Sequence, residues 1–288
     1  MAEARPTLAG VRYVLGHGTE NDFVLLPDPE RSIDLTPRLV AALCHRRAGL
    51  GADGVLRVVL AATDPEGATM ADRARWFMDY RNADGSVAEM CGNGIRVFAR
   101  YLVDSHLEPP GQIDIATRDG VKRVRLATTG DVTVDMGTAT VAADQEIKVS
   151  AADRSWPAVS VDVGNPHAVA FVEDLADAGD LSAPPVTEPA FADGVNVEFV
   201  VDRGERHIAM RVHERGVGET RSCGTGACAA MAAAAKRAGE GGATSYVVDV
   251  PGGRLTVSRR SDGHVELTGP AVLVAEGALR PEWLASHR

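Results

Sequence analysis

Met90-Cys91-Gly92-Asn93-Gly94-Ile95 and Ser222-Cys223-Gly224-Thr225-Gly226-Ala227 are the stretches that decide the fold. Each sets a cysteine and two glycines before a run with helical spacing. After the first come Ile95, Phe98 and Leu102, predicting a helix over 92–105. After the second comes an alanine-rich run holding Met231, with Gly239 as a stop signal, predicting a helix over 227–238. The cysteines lie 132 positions apart, close to half of the 288 residues. Nine residues before each stands a polar residue, Asn82 and then Glu214. A repeat at that offset points to two related halves, each presenting one cysteine at a helix start.

Around these helices the sequence reads as short strands. Apolar or β-branched runs at 11–15, 23–26, 121–126, 132–136, 159–163, 168–172, 195–201, 208–212, 246–250, 254–258, 265–267 and 272–275 are separated by glycine-rich turns. A further helix is expected over 34–46, where Leu35, Leu39 and Leu43 share a face. Residues 61–75, polar and without period, read as an inserted surface loop.

Composition narrows the function class. The chain is 45% hydrophobic and 24% charged, the balance of a globular enzyme, with a formal net charge of −10. That charge argues against a nucleic-acid surface and against a polybasic membrane contact. The opening residues MAEARPTLAG lack the apolar core of a signal peptide, and no run approaches the roughly 18 apolar residues of a bilayer span. A cytoplasmic protein is expected. Four cysteines without a CxxC pair suit neither a disulfide scaffold nor a structural zinc site, so no metal is expected.

A Cys-Gly-x-Gly at a helix start brings together free N–H groups, a partial positive charge and a backbone that a ligand can approach closely. Such a site binds a carboxylate and is expected to lower the thiol pKa. Two related sites suit a symmetric task. Stereoinversion is one: a thiolate removes the Cα proton from one face, and a thiol returns a proton to the other. No cofactor is expected, since neither a pyridoxal motif nor a dinucleotide fingerprint is present. Cys44 and Cys228 read as small core residues.

These motifs resemble the diaminopimelate epimerase family. The resemblance rests on His17-Gly18-Thr19-Glu20-Asn21-Asp22-Phe23, Gly49-Leu50-Gly51-Ala52-Asp53-Gly54, Arg81-Asn82-Ala83-Asp84-Gly85-Ser86 and the first cysteine block. In the second half it rests on Gly164-Asn165-Pro166-His167, Gly194-Val195-Asn196 and Glu214-Arg215-Gly216 running on to the second cysteine block. The resemblance implies an α+β fold of two pseudo-symmetric domains, each a β-barrel-like mixed sheet wrapped around a central helix. It divides the chain at 1–129 and 130–270, with 271–288 returning to the first domain.

It also implies Cys91 and Cys223 as paired base and acid, inverting LL-2,6-diaminopimelate to the meso isomer for lysine and peptidoglycan precursors. Gly92, Asn93, Gly224 and Thr225 would hold the reacting carboxylate. Asn21, Asn82, Asn165, Asn196, Glu214 and Arg215 would hold the rest of this small dicarboxylic diamino acid. His167 and Glu214 would tune proton transfer. A carboxylate suits bidentate Arg215, and an ammonium suits Glu214. One departure is Gly54, where many relatives carry glutamine. A homodimer is the base-rate expectation.

Three other readings compete. Proline or hydroxyproline racemases typically carry histidine where Asn93 stands. Phenazine-type isomerases use a carboxylate and lack the cysteine pair. A non-catalytic thiol redox sensor would not need the anion-binding glycines.

Overall fold

The computed structural model describes residues 10–142 and 147–287. Residues 1–9, within the stretch read above as free of a signal-peptide core, lie outside the described residues, as does Arg288. The first half runs through β1 (Arg12–Gly18), β2 (Asn21–Pro27), α1 (Pro37–Cys44), β3 (Gly54–Leu60), β4 (Trp76–Asn82), α2 (Gly92–Asp104), β5 (Gly111–Thr117), β6 (Gly120–Leu126) and β7 (Val132–Thr138). Short strands β8 (Thr140–Val141) and β9 (Ile147–Ala151) follow. The second half has β10 (Arg154–Asp162), β11 (Pro166–Phe171), β12 (Val186–Glu188), β13 (Asn196–Gly204), β14 (His207–Glu214), β15 (Gly218–Thr220), α3 (Gly224–Arg237), β16 (Thr244–Val250), β17 (Gly253–Arg259) and β18 (His264–Gly269). Strand β19 (Val272–Ala278) and α4 (Pro281–Ala285) come last.

The two halves repeat one ladder. In the first, β1–β2 is antiparallel, β2–β3 parallel, β3–β4 antiparallel, β4–β5 parallel, and β5–β6 and β6–β7 antiparallel. In the second, β10, β11, β13, β14, β16, β17 and β18 pair with the same succession of senses. A parallel pair needs a crossover, and each cysteine helix supplies one: α2 between β4 and β5, α3 between β14 and β16. The halves meet where β7 pairs antiparallel with β18, with Val134 opposite Leu267 and a Thr133–Thr268 hydroxyl bond of 2.9 Å. This is an α+β fold of two pseudo-symmetric halves, each a mixed sheet around one helix.

Burial explains the composition of the two helices. Every residue of α2 from Gly92 to Val103 is buried, and α3 is buried at Gly224 and from Gly226 to Ala235. Strands enclose both helices: the polar residues this buries in α2, Asn93, Arg96 and Arg100, each find hydrogen-bond partners, and alanines in α3 let the surrounding strands approach closely. Phe98 and Leu102, both 0% exposed, each contribute about 1.5–3 kcal/mol of apolar burial. Strand β19 pairs with β1, Arg12 opposite Ala278, while Leu279 and Leu284 pack with Leu39 and Leu43 of α1. Among the described residues no helix is long and apolar enough to cross a membrane.

Two expectations need correction. The helix expected over 34–46 is shorter, Pro37–Cys44: Thr36 caps it by accepting from Leu39 N at 3.1 Å, and Pro37 fits its first turn. Residues 61–75 are more than a surface loop. They form two 3-10 turns, and Ala61, Met70 and Ala74 bury themselves against Val59, Phe77 and Ala116. Three apolar anchors in a polar stretch leave no period to read.

Candidate active site

Each cysteine is the N-cap of its helix. Cys91 has extended backbone (φ −141°, ψ 118°) and its sulfur accepts from Gly94 N at 3.3 Å. Cys223 repeats this (φ −122°, ψ 117°), accepting from Gly226 N at 3.3 Å. Thiols here occupy the place that hydroxyl or carboxylate caps usually fill. The first N–H groups of each helix, on Gly92 and Asn93 and on Gly224 and Thr225, have no intrahelical acceptor. The two helix starts abut. A Cβ on Gly224 would stand 3.1 Å from Gly92 Cα, and one on either glycine would stand 3.0 Å from Leu267 Cδ2. Two positive helix ends therefore meet at one place.

On the first-half side, Asn93 Nδ2 donates to Asn21 Oδ1 at 3.2 Å and to the Ser222 carbonyl at 2.9 Å, crossing between halves. The Cys91 thiol lies 3.7 Å from the same Asn21 oxygen, and Asn21 Nδ2 donates to Asp53 at 2.8 Å. Thr19 and Ser222 share a buried hydroxyl bond of 2.6 Å.

On the second-half side, strands β11 and β13 set His167 opposite Asn196. His167 is fully buried. Its Nδ1 lies 2.7 Å from Glu198 Oε1 and its Nε2 2.9 Å from Asn165 Oδ1. Asn196 accepts from Arg215 N at 2.9 Å and donates to the Pro166 carbonyl at 3.3 Å. Thr225 Oγ1 is 3.4 Å from Cys223 Sγ, and Thr220 donates to Glu214.

Not every expected residue joins the cluster. The Asn82 side chain donates to Ser86 Oγ at 3.0 Å within its own turn. The Arg215 guanidinium donates to the Asp193 carbonyl at 3.0 Å. His167 bonds Asn165 and Glu198, with no hydrogen bond to either thiol among the described residues. At Gly54 a Cβ would meet Arg81 O at 2.6 Å and Tyr80 Cε2 at 2.7 Å, so Tyr80 fills the room a longer side chain needs.

The expected lowering of the thiol pKa is overturned. Burial pushes Cys91 up to about 11; the Gly94 and Asn93 N–H groups and Arg96 pull it down by less, and the Glu214 charge adds to the rise. Burial also holds Cys223 well above the ordinary thiol range, reinforced by Glu214 and Glu198. Burial raises Glu214 too, against the Thr220 hydrogen bond. The helix-start donors are in place, but loss of water outweighs them.

Glu198, Arg96 and Tyr80 are absent from the sequence-based site. Glu198 was legible: it follows Asn196 by two residues, which in a strand puts both on one face. It is 0% exposed, and its Oε2 has no hydrogen-bond partner among the described residues. Neither Arg96 nor Tyr80 sits in a pattern that announces burial beside a thiol. Among the described residues no group of three or more His, Cys, Asp or Glu side chains is arranged to hold a metal ion.

Comparison with known proteins places this geometry. The profile of the family described as "Diaminopimelate epimerase" matches residues 13–142 and 159–274. A diaminopimelate epimerase of Streptomyces coelicolor is 60% identical, over 95% of this chain and 97% of its own. That of Thermobifida fusca is 51% identical, over 94% and 98%. Among solved structures, a phenazine biosynthesis protein of the PhzF family from Bacillus anthracis shares the fold (TM-score 0.73, 15% identity, 95% of this chain and all of that one). So does a hydroxyproline epimerase from Agrobacterium vitis (TM-score 0.66, 16% identity, 96% and 95%). With family profile, relatives and fold in agreement, the chain belongs to the diaminopimelate epimerase family.

Proposed function

We propose that the family's reaction, interconversion of LL- and meso-2,6-diaminopimelate, runs in this chain between Cys91 and Cys223. The observation that carries this reading is the pair of cysteine N-caps whose helices abut at Gly92 and Gly224. In each direction one sulfur, as thiolate, takes the Cα proton. The electron pair left on Cα spreads into the α-carboxylate, which the helix-start N–H groups of Gly92, Asn93, Gly224 and Thr225 stabilise. The opposite thiol delivers its proton to the other face. Thiol and thiolate have then exchanged places, and proton exchange with solvent resets the pair.

The raised thiol pKa values fit such a cycle. A thiolate out of water is a strong base, matched to a weak carbon acid. Asn21, Asn165, Asn196, Glu214 and Arg215 would hold the distal end, with Asn82 and the Arg215 guanidinium reaching it by leaving their present partners. A site of paired polar groups rejects a one-ended amino acid. Four free thiols fit a reducing compartment such as the cytoplasm.

The test is proton NMR of LL-diaminopimelate with reduced enzyme in heavy water and no added cofactor. Deuterium entering one α-position as the meso isomer forms supports the reading. Exchange into L-proline or hydroxyproline alone would leave the thiol pair and overturn the substrate. No exchange into any of them by folded, reduced protein would overturn the reaction.

A further inference from the structure

Arg96 is a fully buried side chain, 0% exposed, whose guanidinium faces only neutral oxygens. It donates to the Gly92 carbonyl at 3.0 Å, to Thr19 Oγ1 at 3.3 Å and to the Pro270 carbonyl at 3.3 Å. Among the described residues no carboxylate comes within ion-pair distance of it. The other two buried arginines among the described residues differ: Arg57 has Asp28 at 3.4 Å and Asp79 at 3.8 Å, and Arg100 has Asp104 at 3.6 Å.

An unpaired buried charge is strongly unfavourable. So is a cation over the first turn of a helix, where the macrodipole is already positive. The fold nevertheless makes room for this one. A Cβ on Gly18 would stand 3.0 Å from its Nη2, and one on Gly269 3.6 Å from its Cζ. Charges on Cys91, Asp131 and Cys228 reach Arg96, all favouring its cationic form, against the burial that lowers its pKa to about 10. Cys91 in turn is faced by Arg96 from its own helix, by Glu214 from β14 and by Tyr80 from β4. Of these, Arg96 alone favours a thiolate.

We propose that Arg96 is a positioning residue of the reaction: its uncompensated charge, behind Gly92 where the helices abut, is the counter-ion of the thiolate at Cys91 and of the carboxylate held beside it. The inference rests on the two-cysteine reading and deepens it. Glu198 and Glu214 already load the site with negative charge, and a thiolate and a substrate carboxylate add more. A cation with no ion-pair partner among the described residues remains available to them.

The test compares Arg96→Met and Arg96→Lys in the full chain, reading two quantities. One is the rate of Cys91 alkylation by iodoacetamide at about pH 8, where Arg96 is cationic, followed by peptide mass spectrometry without substrate. The other is kcat for LL-diaminopimelate. The methionine variant should be alkylated about tenfold more slowly, a tenfold loss of thiolate. Its kcat should fall about 100-fold, with lysine restoring most of both. A folded methionine variant alkylated at the wild-type rate overturns the proposal. So does a folded lysine variant slowed about tenfold, which also decides the matter if the methionine variant does not fold. Alkylation involves no turnover. An active Cys91→Ala enzyme would therefore sink the two-cysteine reading while leaving this electrostatic test intact.

Discussion

Raising the pH should destabilise this protein through thiols that take no part in the proposed chemistry. Cys44 and Cys228 are 5% and 0% exposed, and burial pushes each up to about 12 from an ordinary value of 9.0. In the unfolded chain both ionise near their ordinary value; in the folded chain they stay neutral. A group whose folded pKa is raised stabilises fully below the unfolded pKa, and that stability is lost as pH rises towards the folded value. Between pH 8 and pH 10 each unfolded thiol passes from about one-tenth to nine-tenths ionised, so each site loses about 1.4 kcal/mol, and the pair about 3 kcal/mol. The figure is insensitive to the folded value as long as that lies well above 10. Urea unfolding of the wild type and of the Cys44→Ala, Cys228→Ala double variant, each at both pH values, isolates the effect. Cavity costs of the alanines cancel in the pH difference. The wild type should lose about 3 kcal/mol more than the double variant over this range. Equal losses would refute the reasoning, because the thiols would then be ionising in the folded state.

Three further outcomes are expected. Cys91→Ala and Cys223→Ala should each lower kcat by about 1,000-fold or more while circular dichroism stays native, as removal of an acid–base partner requires; either variant retaining activity would remove the two-base scheme. Glu198→Ala, which strips the buried hydrogen-bond partner from His167, should destabilise by about 1–3 kcal/mol in urea unfolding, with Glu198→Gln, which keeps an acceptor, milder; equal effects would mean the His167–Glu198 contact of 2.7 Å contributes nothing as a hydrogen bond. Gly226→Ala would set a Cβ 2.7 Å from Glu198 Oε1 and 3.3 Å from Cys223 Sγ, so a stability loss of about 1–3 kcal/mol and slower turnover should appear together. Activity surviving that crowding unchanged would show that Glu198 does not matter for Cys223.

The repeat of Cys-Gly-x-Gly at half-chain spacing made the architecture legible, because a pseudo-symmetric fold writes its symmetry into the sequence wherever both halves keep the same cap. The strands around α3 were legible from β-branched runs. Strands β3 and β4 were not among the predicted runs: in Gly54–Leu60 six of seven residues are buried, so no alternation marks it, and Trp76–Asn82 mixes charged Asp79 and Arg81 into the ladder. Asp79 sits there buried because Arg81 and Arg118 reach it at 2.7 and 2.6 Å, one from its own strand and one from 39 positions along the chain. For the site, residue types and spacing located the cysteines, while the asparagines came only from the family resemblance. They could not give the sign of the thiol shift, which depends on how completely water is removed. Nor could they reveal Arg96, whose role comes from what does not surround it.

The pairing of β1 with β19 also bears on how the chain is made. Strand β1 leaves the ribosome before the other described strands, yet its outer edge, from Arg12 to His17, is covered by residues 272–278. Until that last strand emerges, the nascent first half carries a row of unsatisfied backbone groups, an invitation to pair with another chain. Its completion therefore waits for a contact between the first and last described strands, the kind that forms slowly. Loss of residues 272–278 would thus injure a strand made long before them.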